Sequence, residues 1–127
     1  MAPTKAFEPR RVLVVDDNRD HVQMLTLLLK EMGHQTEFAL TAHAALDVAR
    51  RFRPDVVILD VALPDMDGTI LCRQLRQESG LQHMRILVVT GSAREGDRER
   101  AMEAGCDQFL NKPVDPRFLQ SLLGSDR

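Results

Sequence analysis

Three short runs of consecutive apolar residues recur along the chain, at residues 12–15, 56–59 and 86–89. Each run has the length of a β-strand and consists of Val, Ile and Leu; charged residues bound the first two runs, and Arg85 and Thr90-Gly91 bound the third. Because none of their positions is polar, these runs predict strands that are buried on both faces. Such strands are typical of the interior of a parallel sheet.

The segments between these runs have the spacing and composition of helices. The clearest apolar series recurs every three or four residues and stops at Gly33; it consists of Val22, Leu25, Leu29 and Met32. This spacing with a terminal glycine predicts an amphipathic helix. Four further helices are predicted at residues 42–52, 67–77, 94–104 and 115–123.

Two weaker strand patterns complete a regular alternation of strand and helix. Residues 34–40 place Thr36, Phe38 and Leu40 on one face, and residues 107–111 have polar ends, so both segments are predicted as edge strands. Five strand–helix repeats imply a parallel sheet with helices on both faces. With the apolar strands in the centre, the predicted fold is a doubly wound α/β domain of strand order 2-1-3-4-5.

Composition is that of an ordinary globular protein. The chain has 127 residues, of which 43% are hydrophobic and 28% charged, and this length suits a single domain. We expect one folded unit over residues 11–123, with a flexible tail at 1–10 and a short tail at 124–127. The formal net charge of −2 lacks the basic excess that favours binding to nucleic acid.

The sequence gives no indication of a membrane segment or of export. Its apolar runs are far shorter than the roughly 20 residues that span a bilayer. The first eleven residues lack the apolar centre of a signal peptide, so we expect a cytoplasmic protein. Cys72 and Cys106 are far apart and have no CxxC spacing, and we interpret both as reduced packing residues.

Reactive side chains follow the carboxyl end of each central strand and of the fifth. They are Asp16 and Asp17 after the first strand, Asp60 after the third, Thr90 at the end of the fourth, where Gly91 follows it, and Lys112 after the fifth. A single Asp in such a place is as readily a turn residue or a helix cap. Together, however, these residues meet at the sheet edge where open α/β folds bind ligands.

The predicted cluster has the composition of a site for phosphoryl transfer. Three carboxylates at one sheet edge require a neighbouring positive charge, which Lys112 or a Mg²⁺ ion would supply. Asp60 would act as the nucleophile and form an acyl phosphate. Thr90 would donate a hydrogen bond to a phosphoryl oxygen, and Gly91 would leave room for the group.

At these residues the sequence resembles the receiver domains of two-component response regulators, and the resemblance covers residues 11–123. It rests on four motifs in order: Val-Asp16-Asp17, Asp60-Val-Ala-Leu-Pro64-Asp-Met-Asp67-Gly68, Thr90-Gly91 and Lys112-Pro113. Each motif alone is weak, whereas all four at these spacings are specific. The resemblance implies a flavodoxin-like fold and a phosphoacceptor switch rather than an enzyme.

The resemblance also implies a partner, a cofactor and roles for individual residues. Asp60 would accept a phosphoryl group from a phosphohistidine on a histidine kinase or a histidine phosphotransfer protein. Mg²⁺ would be bound by Asp17, Asp60 and the Ala62 carbonyl, with Asp16 helping through a water molecule. The peptide bond between Lys112 and the following proline is expected to be cis.

A conformational switch is a further implication of the resemblance. The Thr90 hydroxyl would move toward the phosphoryl group, Phe109 would turn inward, and the face of helix four, strand five and helix five would change its protein partners. Many relatives have Tyr at the Phe109 position, and a ring that is simply packed remains the alternative. Ala62 and Ser92 offer no acidic or amide group to a hydrolytic water, so we expect a phosphorylated lifetime that is not especially short.

Several other features favour plain interpretations. The four histidines, which have no ligand spacing, are predicted to be surface residues rather than metal ligands or phosphodonors; they are His21, His34, His43 and His83. The charged residues between 94 and 103 predict a solvated helix face, with a docking surface as the alternative. The methionines are interpreted as core filler, although Met24 and Met32 on helix one are placed where a kinase could touch them.

Three functional hypotheses stay open at this stage. A phosphorylatable receiver requires Asp60 to accept phosphate, whereas a pseudo-receiver would be a binding module without that chemistry. The third hypothesis is an enzyme of similar architecture, either a flavin carrier or a haloacid-dehalogenase-like phosphatase. The residues after the first strand, Asp16-Asp17-Asn18-Arg19, do not match the motif of either. The residues of the four motifs above are similar to those in the receiver domains of hybrid sensor kinases. This similarity does not decide between a stand-alone regulator and an excised domain, or between a monomer and a homodimer, and the downstream protein target stays unknown.

Overall fold

Five strands and five helices alternate along the chain in the computed structural model, which describes residues 9–91 and 93–123. In chain order they are β1 (Arg11–Val15), α1 (Arg19–Glu31), β2 (Gln35–Ala39), α2 (Ala42–Phe52), β3 (Val56–Leu59), α3 (Gly68–Arg76), β4 (Arg85–Thr90), α4 (Asp97–Glu103), β5 (Gln108–Asn111) and α5 (Pro116–Leu123). Every predicted element is present. The predicted alternation is therefore confirmed.

The strands form one parallel sheet in the order β2-β1-β3-β4-β5. This confirms the doubly wound α/β fold and the assignment of β2 and β5 as edges. Side chains of the three interior strands are buried, apart from the first residue of β1 and of β4, Arg11 and Arg85. The uninterrupted apolar runs of the sequence are thus explained by burial on both faces.

The helices cover the sheet as two separate apolar cores. On one face, Leu13 of β1 packs in a cluster with residues of α2, α3 and α4, among them Leu71. On the other face, Val14 packs with α1 and α5, including Leu29 and Leu119. Alternate side chains of a strand point to opposite faces, so neighbouring residues of β1 belong to different cores.

The start of the fourth helix differs from the prediction. Helical composition begins at Arg94, but α4 begins at Asp97, because Gly96 has a left-handed backbone with φ of 92°. The Asp97 carboxylate accepts a hydrogen bond from the Arg94 amide at 2.7 Å and also pairs with Arg100. These local side-chain bonds take the place of an additional helical turn. The other elements agree with their predicted bounds within one or two residues.

Two charged or polar residues that were predicted at the surface are buried. His34 accepts a hydrogen bond from the Arg10 amide through Nδ1 at 2.9 Å and lies 3.4 Å from the Gln120 amide oxygen through Nε2. Burial lowers the pKa of His34. Asp97 is buried by the contacts just described, so it is not part of a solvated helix face. Both corrections arise from partners that the linear sequence does not identify.

The edge strand β2 buries less than its pattern suggests. Phe38 pairs in register with Val14, yet its side chain is 49% exposed because β2 has a neighbouring strand on one side. Ala39, which points to the opposite face, is buried with residues of α2. The side chains of Thr36, Phe38 and Leu40 therefore lie at the edge of the sheet and are only partly buried.

Both cysteines are free and buried, which confirms their interpretation as reduced packing residues. Burial raises the pKa of the Cys72 thiol to about 12, so it stays protonated at neutral pH. In the part of the chain that the structure describes, none of the helices has the length and apolar character needed to cross a membrane.

Candidate functional site

Backbone pairing continues one residue beyond the strands and lines up the reactive side chains. The Asp60 amide donates to the Val15 carbonyl at 3.0 Å, and the Lys112 amide donates to the Thr90 carbonyl at 3.0 Å. The Asp16 amide likewise bonds to the last residue of β2 at 3.1 Å. Parallel sheet geometry therefore fixes the carboxyl edge where the predicted residues meet.

Lys112 joins the two buried carboxylates of the site. Its Nζ lies 2.8 Å from Asp16 Oδ2 and 2.9 Å from Asp60 Oδ2, and these residues are 3% and 8% exposed. Burial by itself lowers the pKa of Lys112, but the hydrogen bonds to the two carboxylates and their charges outweigh it and raise the pKa. Lys112 is therefore the positive charge that the sequence requires beside this acidic cluster.

Asp16 is saturated with hydrogen-bond donors. Its Oδ1 accepts from the Asn18 amide at 3.0 Å, and its Oδ2 contacts Lys112 Nζ and His21 Nδ1, the latter at 2.7 Å. Burial raises the pKa of Asp16, but bonds from Lys112, the Asn18 amide and His21 outweigh it, so the pKa is lowered. Asp16 is thus held as a carboxylate at neutral pH.

His21 is a site residue that the sequence interpretation missed. It was expected to be a surface histidine without a role, yet its ring is partly buried against Asp16. Asn18 caps α1 by accepting a hydrogen bond from the His21 amide at 3.1 Å, and this cap places the first turn of the helix beside the end of β1. The available signal was the position of His21 in the first helical turn after Asp16.

The loop after β3 is held tightly against the Asp60 backbone. The Ala62 amide donates to Asp60 Oδ1 at 3.1 Å, and the Gly68 amide donates to the Val61 carbonyl at 2.7 Å. A Cβ atom on Gly68 would lie 2.3 Å from the Asp60 carbonyl oxygen, closer than any real contact. Asp67 then caps α3 by accepting from the Thr69 amide at 2.8 Å. This packing explains the spacing from Asp60 to Gly68.

The remaining predicted residues, Thr90, Gly91 and Pro113, lie near Lys112 at the ends of β4 and β5. Thr90 is 2% exposed at the end of β4 and pairs in register with Asn111 of β5. Gly91 follows it, and a Cβ atom there would make ordinary contact with the Lys112 stem at 3.6 Å. The peptide bond from Lys112 to Pro113 is cis, as expected.

The last predicted residues are Phe109, which was assigned to the switch, and Ala62 and Ser92, which were expected to influence the lifetime of the phosphorylated state. Phe109 is half-buried and packs against the core shared by α2, α3 and α4, which agrees with the packing interpretation of its ring. Ser92 lies outside the described residues. Ala62, the other residue placed where water would attack, is exposed beside Asp60.

The oxygen atoms at this edge suit a hydrated Mg²⁺ ion. Asp17 follows the buried Asp16 in the chain and Ala62 lies two residues after the buried Asp60, and both are exposed. Within residues 9–91 and 93–123, no three His, Cys, Asp or Glu side chains converge as a metal cage. Mg²⁺ usually binds one or two carboxylates and keeps several waters, so this hard-oxygen donor set fits it without such a cage.

Comparison with known proteins agrees with this geometry. Residues 12–123 match the family model described as the response regulator receiver domain. The chain belongs to this family. Receivers of this family act in two-component signalling, which is therefore the functional setting of the chain.

Similar receivers include a response regulator and the receiver domain of a sensor histidine kinase. The polar-differentiation response regulator DivK of Brucella anthropi is 32% identical over 115 residues, which cover 90% of this chain and 94% of DivK. The receiver domain of the sensor histidine kinase PA1611 from Pseudomonas aeruginosa is 28% identical with a TM-score of 0.82. That match covers 91% of this chain and 95% of the other, whose active-site cleft coordinates a magnesium ion.

A third receiver has a very similar backbone. The CheY-like receiver domain protein from Methanospirillum hungatei has a TM-score of 0.85 and 29% identity, and 91% of each chain is covered. The flavodoxin-like receiver fold is therefore shown both by the strand order and by its structural relatives.

Proposed function

We propose that Asp60 is the phosphoacceptor of this receiver and takes its phosphoryl group from a phosphohistidine on a histidine kinase or a histidine phosphotransfer protein. The observation that carries the proposal is the position of Lys112 Nζ, 2.9 Å from Asp60 Oδ2 and 2.8 Å from Asp16 Oδ2. This arrangement presents a carboxylate beside a fixed positive charge at an open sheet edge. Positioning and charge neutralisation account for most of the catalysis of phosphoryl transfer.

The transfer replaces one bond to phosphorus by another. A carboxylate oxygen of Asp60 attacks the phosphorus atom, and the bond between phosphorus and the donor imidazole nitrogen breaks. The nitrogen leaves with the bonding electron pair and takes a proton from solvent, so that neutral histidine and an aspartyl phosphate result. Lys112 neutralises part of the charge on the phosphoryl oxygens, and Thr90 donates a hydrogen bond to one of them.

Asp17, Asp60 and the Ala62 carbonyl would hold Mg²⁺, and Asp16 would bind it through a water molecule. Bound there, Mg²⁺ would neutralise negative charge on the phosphoryl oxygens. The exposure of Asp17 and Ala62 next to the buried pair supports this assignment. His21 and Lys112 hold the Asp16 carboxylate, which orients it at the site.

We further propose that phosphorylation changes the face of α4, β5 and α5, and that this change controls binding to a downstream protein. Thr90 and Phe109 would be the switching residues. The bond from the Lys112 amide to the Thr90 carbonyl couples the ends of β4 and β5, so that movement at Thr90 reaches the output face. Phosphoryl loss would be slow, because Ala62 gives no side-chain help to an attacking water.

An apolar groove beside Lys112 supports docking of the phosphodonor. It lies between α1 and the segment after β5 and is lined by residues that include Met24, Leu25, Leu28, Pro113 and Val114. Met24 is 65% exposed at its margin. An amphipathic helix that carries the phosphohistidine would fit such a groove.

The proposed receiver comprises residues 11–123 and acts in the cytoplasm. A net charge of −2 agrees with recognition of proteins rather than direct contact with nucleic acid or membrane.

Intact mass tests the proposed function. The chain is incubated with a small acyl phosphate with and without Mg²⁺, alongside Asp60→Asn and the control Asp47→Asn on the exposed face of α2. We expect one phosphoryl adduct on the wild-type chain and on the control, dependent on Mg²⁺ and missing from Asp60→Asn. An unlabelled wild-type chain, under conditions that label another receiver, would contradict the proposal and favour a pseudo-receiver.

A further inference from the structure

The amino end of α2 is capped by a residue from the loop that carries the phosphoacceptor site. Asp65 Oδ1 accepts a hydrogen bond from the Ala42 amide at 2.8 Å, and Oδ2 accepts from the His43 amide at 3.0 Å. The His43 ring contacts the same Oδ2. Thr41, the N-cap residue that precedes α2, accepts a hydrogen bond from the Ala44 amide at 3.1 Å. The first turn of this helix therefore depends on a carboxylate that lies 22 or more residues away in the chain.

The same bonds hold the middle of the loop after β3. At its start, Asp60 is fixed by β-sheet pairing, and at its end Gly68 is pressed against the Asp60 backbone. Leu63 and Met66 pack against the core between these points. Between them, the hydrogen bonds of the Asp65 carboxylate attach the middle of the loop to the amino end of α2. Asp65 lies three residues after Ala62, whose carbonyl is a proposed Mg²⁺ ligand.

From these contacts we infer that Asp65 is a positioning residue for the proposed Mg²⁺ site, because it holds the loop that carries the Ala62 carbonyl. The inference rests on the proposed function. Asp65 does not touch the reacting atoms and acts through the backbone of the loop. Removing a group that is hydrogen-bonded directly to a metal ligand changes metal affinity by about 10- to 100-fold. Asp65 bonds to Ala42 and His43 and acts on the ligand through the loop backbone, so we expect an effect at the lower end of that range.

Calorimetric titration of Mg²⁺ into the wild-type chain, Asp65→Ala and Asp65→Asn tests this role directly. We expect the dissociation constant to rise about tenfold in Asp65→Ala and by less in Asp65→Asn, which keeps one acceptor oxygen. The matched control is Asp47→Ala, which removes an exposed carboxylate from α2 that pairs with Arg50. It should bind Mg²⁺ as the wild-type chain does.

Two further measurements separate positioning from a loss of structure. Hydrogen exchange at Ala42 and His43 should be about 5- to 30-fold faster in Asp65→Ala, as for loss of a helix cap. The rate of phosphorylation by the acyl phosphate should recover at high Mg²⁺, whereas a variant that is simply unfolded would stay slow. If Asp65→Ala does not fold, Asp65→Asn carries the test.

The outcomes distinguish this inference from the proposed function. A folded Asp65→Ala with the Mg²⁺ affinity of the wild-type chain would overturn the inference alone. A weaker Mg²⁺ affinity in that variant, together with a wild-type chain that accepts no phosphoryl group, would support the inference and contradict phosphotransfer. A wild-type chain that binds no Mg²⁺ would overturn both.

Discussion

Lys112, Asp16 and Asp60 form a buried charge cluster whose members depend on one another. One ammonium group serves two carboxylates, so its removal would leave both without their main counter-charge. Removing one partner of a buried ion pair is much more costly than removing an exposed pair, because the remaining charge keeps its desolvation penalty. The pKa of Asp16 is therefore expected to change when Lys112 is removed.

In Lys112→Met we predict that the pKa of Asp16 rises relative to the wild-type chain. In the wild-type chain its pKa lies below the ordinary value of 3.8, so the stability it contributes is complete above that value and is lost as the pH falls. Carboxyl chemical shifts followed by NMR between pH 2 and 7 would check the direction, with Lys30→Met on α1 as control. An unchanged Asp16 titration would contradict the account of the cluster.

Gly68 is predicted to accept no side chain, because its Cβ would overlap the Asp60 backbone. For Gly68→Ala we expect a loss of about 1–3 kcal/mol in the free energy of unfolding, as for overpacking of a core. Gly91→Ala is the matched control, since its Cβ would make an ordinary contact with the Lys112 stem. Urea unfolding of both variants checks this. Equal stability of the two variants would count against the close approach of α3 to β3.

At the scale of elements, the sequence predicts what local pattern and sheet geometry determine. Apolar runs identify β1, β3 and β4, and parallel topology then brings together Asp16, Asp60 and Lys112. The burial of His34 depends on contacts with Arg10 and Gln120, which lie in distant segments of the chain. Such contacts have no period in the sequence, so they could not be predicted from it, whereas the contact of His21 with Asp16 is local and follows from the first turn of α1.

The beginning of α4 shows how a local bond overrides composition. Charged residues from Arg94 onward favour a helix, yet Gly96 adopts a left-handed backbone and Asp97 binds the Arg94 amide.

We predict that Gly96→Ala lowers the free energy of unfolding by about 1–2 kcal/mol, the cost of the left-handed conformation for a residue with a Cβ. Thermal unfolding checks this value. A variant as stable as the wild-type chain would show that the loop before α4 adopts another backbone.

At the scale of the whole molecule, the sheet separates the structural and the chemical parts of the chain. Two apolar cores lie on its faces, and the reactive side chains occupy its carboxyl edge. Each of the loops after β1, β3 and β4 begins at a site residue, so the edge also connects the site to α1, α3 and the short α4. A change in charge at Asp60 is therefore positioned to reach several helices.

The central claim is that one particular carboxylate at this edge accepts the phosphoryl group. The measurement that tests it most directly is reduction of the labelled chain with borohydride, which converts an aspartyl phosphate to homoserine, followed by peptide mass spectrometry. The account predicts homoserine at position 60 alone, and only after incubation with Mg²⁺. Homoserine at Asp16 or Asp17, or a phosphate carried by His21, would contradict it.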